Sequence, residues 1–138
     1  MKRLLFWGGL SAVAIAVVGC SSSSPVAEAM SAIADDAAAQ LTALYPPAKT
    51  QFAAATPRDG FGVALLARLR ERGYAIEESN RDGTGRMKFT YEINADSADG
   101  ILTALYQVND ELLSRAYTAN AANYAPLTAW TLRKGNIQ

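Results

Sequence analysis

The side chains that carry out most enzyme chemistry are scarce in this chain. Its 138 residues include no histidine and one cysteine, Cys20. This composition excludes Ser-His and Cys-His nucleophilic pairs, histidine-ligated metals, Cys-x-x-Cys redox pairs and internal disulfides. Because so many routes to catalysis are closed, we expect a protein that is not an enzyme and that holds no metal.

Carboxylates are the remaining candidates for acid–base chemistry. They form three clusters, Asp35-Asp36, Glu77-Glu78 and Asp96 with Asp99. Adjacent residues on a helix or a strand point to different faces, so neither of the first two clusters can present both carboxylates to one substrate. We interpret all three clusters as parts of solvated faces and turns.

Arginines mark two further segments. "RDGTGR" at residues 81–86 lacks the GxxxxGK[ST] spacing of a phosphate-binding loop, so it predicts a hairpin turn. Arg68, Arg70 and Arg72 lie near the end of a predicted helix, where they complement the helix dipole. Arg68 and Arg72 are also candidate contacts for an acidic partner surface.

Three aromatic residues, Tyr117, Tyr124 and Trp130, lie in or beside a weakly patterned C-terminal segment. Aromatic side chains are usually buried in a core. On an extended arm, however, they can anchor a chain in another subunit. Both interpretations stay open, and the second predicts that Trp130→Ala weakens association without lowering the thermal midpoint.

The chemistry open to Cys20 follows from the residues before it. Residues 4–18 carry no charge and lie between Lys2-Arg3 and the small residue Gly19, which is the layout of a secretory signal peptide. The run is shorter than the roughly 18 to 20 residues that cross a bilayer, so we predict cleavage of residues 1–19.

"VVGC" at residues 17–20 resembles a bacterial lipobox. In such signals the cysteine thiolate accepts a diacylglycerol, the peptide is cut before the cysteine, and the new amino group is acylated. The resemblance implies palmitate-type chains on Cys20 as the one attached group. Ser21 implies sorting to the outer membrane, with the domain in the periplasm; an ordinary signal peptide that contains a cysteine is the alternative.

The first half of the chain predicts two helices. Ser24-Pro25 can start a helix, and Ile33, Ala37, Leu41 and Leu44 form an apolar stripe within residues 30–45 that Pro46-Pro47 ends. A short strand is predicted within residues 48–56. A second helix follows, with Thr56 as its cap, Pro57 and Asp59 in its first turn, and Gly73 as its stop.

The second half predicts consecutive strands. Residues 74–79, 86–94, 101–108 and 111–119 alternate or carry β-favouring side chains and are separated by turns. We therefore predict an α+β fold: a small two-layer sandwich with two helices on a mainly antiparallel sheet of three to five strands. The predicted units are a signal peptide (1–19), a lipidated tether (20–30), an α+β domain (31–120) and a C-terminal arm or edge strand (121–138).

Charge argues against one class of partner. Thirteen basic residues balance thirteen acidic ones, so the chain lacks the broad positive field that draws proteins onto nucleic acid. We expect no direct nucleic-acid binding.

Three segments together resemble the TrbH family, lipoproteins of Trb-type conjugative transfer systems. They are "LTALYPPAKTQFAAATPRDGFGVALLARLRERGYAI" (41–76), "LLSRAYTAN" (112–120) and "APLTAWTLRK" (125–134). The resemblance implies a structural part of a type IV secretion system, with other subunits of the outer-membrane core complex as partners in a hetero-oligomeric ring. The predicted order of elements is also similar to the N0 domains of secretion systems, in fold alone.

Two other hypotheses stay open. One is a stand-alone envelope lipoprotein that binds a small ligand or peptidoglycan, which predicts a pocket with converging polar groups. The other is a lipoprotein that acts in entry exclusion.

Overall fold

The computed structural model describes residues 25–79, 85–120 and 123–135. The predicted signal peptide, Cys20 and the serines after it lie outside these residues. Within them the chain forms two α-helices, one 3-10 helix and seven strands. The helices are α1 (Pro25–Leu44), the 3-10 helix (Pro47–Lys49) and α2 (Gly60–Glu71), and the strands are β1 (Gln51–Ala54), β2 (Ala75–Glu78), β3 (Met87–Asp96), β4 (Ile101–Val108), β5 (Glu111–Asn120), β6 (Asn123–Pro126) and β7 (Thr131–Lys134).

Helix α1 follows the predicted apolar stripe but starts earlier. It begins at Pro25, so residues 25–30, assigned above to the tether, belong to the helix. Ile33, Ala37 and Leu41 are buried as predicted, whereas Leu44 is 38% exposed. Leu44 is the last helical residue, and the next side chain, Tyr45, is buried in its place.

Helix α2 has a different cap from the one predicted. The cap is Asp59, whose carboxylate accepts a hydrogen bond from the Gly62 N–H, so the prediction of Thr56 was wrong. The predicted stop at Gly73 is confirmed. Gly73 has φ +94°, its N–H donates to the Arg70 carbonyl, and the Tyr74 N–H donates to the Leu69 carbonyl, which is the Schellman arrangement.

The sheet has the order β2-β1-β3-β4-β5-β6, and β7 also pairs with β5. Strands β3, β4 and β5 form the predicted antiparallel meander. Strand β1 lies between β2 and β3 and is parallel to both. The predicted hairpin between β2 and β3 is therefore wrong, since these strands are not neighbours; residues 80–84 of this connection lie outside the described residues.

The C-terminal segment extends the sheet. Strands β6 and β7 pair with opposite halves of β5, the first with residues 117–120 and the second with residues 111–114. Parts of the predicted arm are thus edge strands, the alternative that the sequence left open.

Both helices pack on one face of the sheet. Along β4 every second residue is buried, namely Leu102, Ala104, Tyr106 and Val108, as the alternation predicts. These side chains form one core with the apolar faces of α1 and α2. The α+β prediction is confirmed, with a mixed sheet that is larger than predicted.

Candidate interaction site

An apolar groove of about 740 Å³ opens where the N-terminal parts of α1 and α2 meet β3. Its volume is in the range of sites that take small organic ligands. We call it the α1–α2–β3 groove; its lining consists of Ala27, Met30, Asp59, Gly60, Phe61, Ala64, Tyr91, Glu92 and Ile93.

Simple periodicities bring these side chains together. Phe61 and Ala64 are three residues apart on α2 and share one face of that helix. Tyr91 and Ile93 are two residues apart on β3 and share one face of the sheet. Met30 contributes from α1 and packs against the same core. The groove is thus built by three elements that are distant in sequence.

One wall of the groove is fixed by the cap of α2. One Asp59 oxygen accepts the Gly62 N–H at 2.7 Å, and the other accepts the Tyr91 hydroxyl at 2.7 Å. Burial, and then the hydrogen bond to Asp59, raise the pKa of Tyr91. The Phe61 ring meets the Tyr91 ring edge-on, with centroids 5.6 Å apart. The carboxylate therefore ties the start of α2 to β3.

Gly62 is required by this close approach. A Cβ built on Gly62 would lie 1.8 Å from the Tyr91 hydroxyl oxygen and 2.8 Å from Cβ of Pro57. Any larger residue would push the Tyr91 ring away from α2. The "DGFG" segment at residues 59–62 thus combines a cap with a contact surface.

A second polar cluster joins α1 to β5. Asp36 accepts from Arg115 Nη1 at 2.9 and 3.1 Å and from the Tyr117 hydroxyl at 2.7 Å. The Asp36 and Arg115 side chains are 31% and 18% exposed, which protects the pair from solvent screening. Burial, and then the hydrogen bond to Asp36, raise the pKa of Tyr117. The cluster holds the helix layer on the sheet.

Tyr106 lies beside this cluster with an orphaned hydroxyl. The hydroxyl is buried and has no hydrogen-bond partner among the described residues. Burial, followed by the charge of Asp36, raises the pKa of Tyr106. The Trp130 ring is 5.9 Å from the Tyr106 ring, and the Arg115 guanidinium is 5.4 Å from the Trp130 centroid.

The predicted interface aromatics divide into two groups. Tyr117 is 1% exposed, so its place is the core and not a partner surface. Tyr124 and Trp130 are half-buried and pack against the core from β6 and from the segment before β7. A role for these two in partner binding stays a prediction.

The two predicted interface arginines differ in their contacts and in their exposure. Arg68 contacts Asp35 at 2.8 Å, Glu71 at 3.0 Å and the Ser31 hydroxyl at 3.2 Å, so it connects α2 to α1. Arg72 caps the end of α2 with its backbone and is exposed. Of these two arginines, Arg72 has the position that suits contact with a partner.

Neighbouring carboxylates have different partners, as the sequence predicts, but Asp36 does not lie on a solvated face, because it is partly buried between α1 and β5. Asp35 contacts Arg68 whereas Asp36 contacts Arg115, so neighbouring carboxylates meet different cations. The second cluster is divided in the same way, between Arg86 and Arg70. Among the described residues, no group of three or more His, Cys, Asp or Glu side chains could hold a metal ion.

Cys20, the predicted lipidation site, lies outside the described residues. None of the helices in the described part of the chain combines the length and hydrophobicity needed to cross a bilayer.

Neither the groove nor the Asp36 cluster was predicted from the sequence. The sequence nevertheless carries a local signal for one residue of the groove and one residue of the cluster. "DG" before an apolar helix is a cap pattern, and Asp36 lies next to the apolar stripe of α1. The partners Tyr91 and Arg115 are 32 and 79 residues away, and no local pattern links them.

The fold defines a class, a small α+β domain with two helices packed on a mixed sheet. The chain belongs to the TrbH family: the family model described as conjugal transfer protein TrbH matches residues 17–134. Searches of curated proteins and of solved structures returned no match.

Proposed function

We propose that this protein is an outer-membrane lipoprotein and a structural component of a conjugative type IV secretion system. In this role it anchors or stabilises the outer-membrane core complex and acts as a binding partner of channel subunits, without catalysis. The family match carries the proposal, because it begins at Val17 and so includes the lipobox-like residues 17–20 as well as every described helix and strand.

Lipidation of Cys20 supplies the anchor. Each buried methylene contributes about 0.8 kcal/mol to membrane binding, so two or three acyl chains hold a protein stably where one does not. Because α1 begins at Pro25, only Ser21–Ser24 separate Cys20 from the domain. Four residues keep the domain close to the membrane surface, nearer than the predicted tether of residues 20–30 would.

The anchoring role is tested by Cys20→Ser, with Ser22→Ala as the matched control. We expect the Cys20→Ser protein to lack acyl mass in intact-protein mass spectrometry, to leave the outer-membrane fraction, and to reduce donor mating frequency. The control should behave like the wild type in all three measurements. Normal mating frequency with an unlipidated protein would overturn the anchoring role.

The structural role is tested on membranes that contain the whole transfer system. An affinity-tagged wild-type protein should co-purify with outer-membrane core subunits of that system, detected with antibodies to each subunit. Arg72→Glu tests whether this exposed arginine contacts a core subunit. Arg70→Glu is its control, because Arg70 is also exposed and is paired with Glu78. A protein that is recovered alone from such membranes would contradict the structural role.

A further inference from the structure

We propose that the α1–α2–β3 groove binds one of the acyl chains carried by Cys20 of the same molecule. The inference rests on the lipidation in the proposed function and adds a ligand site to it. The groove would then be an intramolecular lipid site that fixes which face of the domain lies toward the membrane.

The lining suits an uncharged hydrocarbon chain. Six of the nine lining residues are apolar or aromatic, and no basic residue is among them. The two acidic side chains in the lining are Asp59 and Glu92. Carboxylates repel the head group of a free fatty acid or an anionic phospholipid. An acyl chain joined through an amide or an ester has no charge and avoids this repulsion.

The position of the groove suits an anchor at Cys20. The residues before the described part of the chain end at Ser24, next to Pro25 at the start of α1, and Ala27 and Met30 of the first two turns of α1 line the groove. The stretch from Cys20 to Pro25 spans at most about 18 Å when fully extended. Cys20 therefore lies within reach of the groove, and an attached chain can enter beside the N-terminal end of α1.

Stable membrane anchoring does not require every acyl chain on Cys20. A lipoprotein cysteine with a diacylglycerol and an acylated amino group carries three chains, and two chains already give stable membrane attachment. The third chain loses contact with the membrane interior but gains contact with the apolar lining. Its burial would cover the partly exposed side chains of Met30 and Ile93 and would orient the domain.

Photo-cross-linking of the full-length, lipidated protein tests this site. The chain has three methionines, and removal of residues 1–19 leaves Met30 in the groove and Met87 outside it. Both would be replaced during expression by a diazirine analogue of methionine, and the protein placed in nanodiscs of deuterated phospholipid. We expect position 30 to cross-link to a non-deuterated acyl chain of Cys20 and position 87 to give no such product.

Two variants of α2 make the test specific. Ala64→Trp fills the groove and should abolish the cross-link at position 30, whereas Ala67→Trp, on the exposed face of the same helix, should leave it unchanged. Intact mass and circular dichroism check that both variants are lipidated and folded.

The results of this experiment distinguish failure of the groove site from failure of the proposed lipidation. Acylated protein that cross-links at position 30 only to deuterated lipid would show that the bilayer occupies the groove, and acylated protein with no product there would show that the groove takes no lipid. Either result overturns the site and leaves the proposed function intact. Protein without acyl mass would overturn the lipidation and the site together.

Discussion

At the scale of single residues, two buried tyrosines differ in the hydrogen bonding of their hydroxyl groups. Tyr106 and Tyr117 lie on adjacent strands and face the helices, and both are buried. The Tyr117 hydroxyl donates to Asp36, whereas the Tyr106 hydroxyl has no partner among the described residues. An unsatisfied buried hydroxyl costs free energy that a satisfied one recovers.

The matched variants Tyr117→Phe and Tyr106→Phe measure this difference. We expect Tyr117→Phe to lower the free energy of unfolding by about 1.5–3 kcal/mol, because a hydrogen bond to a charged group is lost. Tyr106→Phe should leave stability unchanged or raise it by up to about 1 kcal/mol, because it removes an unsatisfied group. Urea unfolding with equal m-values checks both, and equal losses in the two variants would contradict the assignment.

Two glycines of α2 give a second matched pair. Gly62→Ala should destabilise the domain by about 1–3 kcal/mol, because the new methyl group overlaps the Tyr91 ring. Gly60→Ala meets no atom within 4 Å and should be neutral or stabilising by about 0.4–1 kcal/mol. Thermal unfolding distinguishes them, and a harmless Gly62→Ala would mean that Tyr91 moves freely.

At the scale of elements, the segment between β6 and β7 has a fixed path. The Leu127 N–H donates to the Ala116 carbonyl at 2.8 Å, and the Thr128 hydroxyl accepts from the Ala116 N–H at 3.0 Å. Arg115 Nε donates to the Thr128 carbonyl at 2.9 Å. These bonds hold the segment on β5 and bring Trp130 over Tyr106.

This path changes what Trp130→Ala is expected to do. Loss of the ring contact and of the cation–π contact with Arg115 should destabilise the domain by about 1–2 kcal/mol, whereas Trp130→Phe should recover part of the loss. Denaturant unfolding of the domain without partners is the measurement. An unchanged midpoint would favour the sequence-based hypothesis that Trp130 serves association alone.

At the scale of the whole molecule, buried tyrosines set the response to alkali. Burial raises the pKa of Tyr106 and Tyr117 above the ordinary value of 10.0. In the unfolded chain these hydroxyls lose their protons near pH 10, so above that pH the unfolded state binds fewer protons than the folded state. Stability from this source is complete below pH 10 and is lost as the pH rises toward the folded pKa values.

We therefore expect the free energy of unfolding to fall between pH 10 and pH 11, by up to about 1.4 kcal/mol per pH unit for each of these tyrosines. Tyr106→Phe should make this fall shallower while leaving its start near pH 10. Chemical unfolding at pH 8, 9, 10 and 11 checks the slope. Identical slopes for the wild type and the variant would show that Tyr106 does not contribute.

The sequence by itself determined the features that depend on neighbouring residues. The structure confirms four such local patterns. They are the apolar stripe of α1, the glycine stop of α2, the alternation along β4 and the meander of β3, β4 and β5. The family resemblance also came from local segments, at residues 41–76, 112–120 and 125–134, and the family match confirms it.

Only the tertiary structure decided the features that depend on distant partners. Strand β1 lies between β2 and β3, although β3 is far from β1 in the chain. The hydrogen bonds from Tyr91 to Asp59 and from Arg115 to Asp36 also join distant segments. Pairing and packing at such separations depend on competition among all the surfaces that the chain can bury, which no local pattern records. The α1–α2–β3 groove exists only because that competition placed three elements side by side.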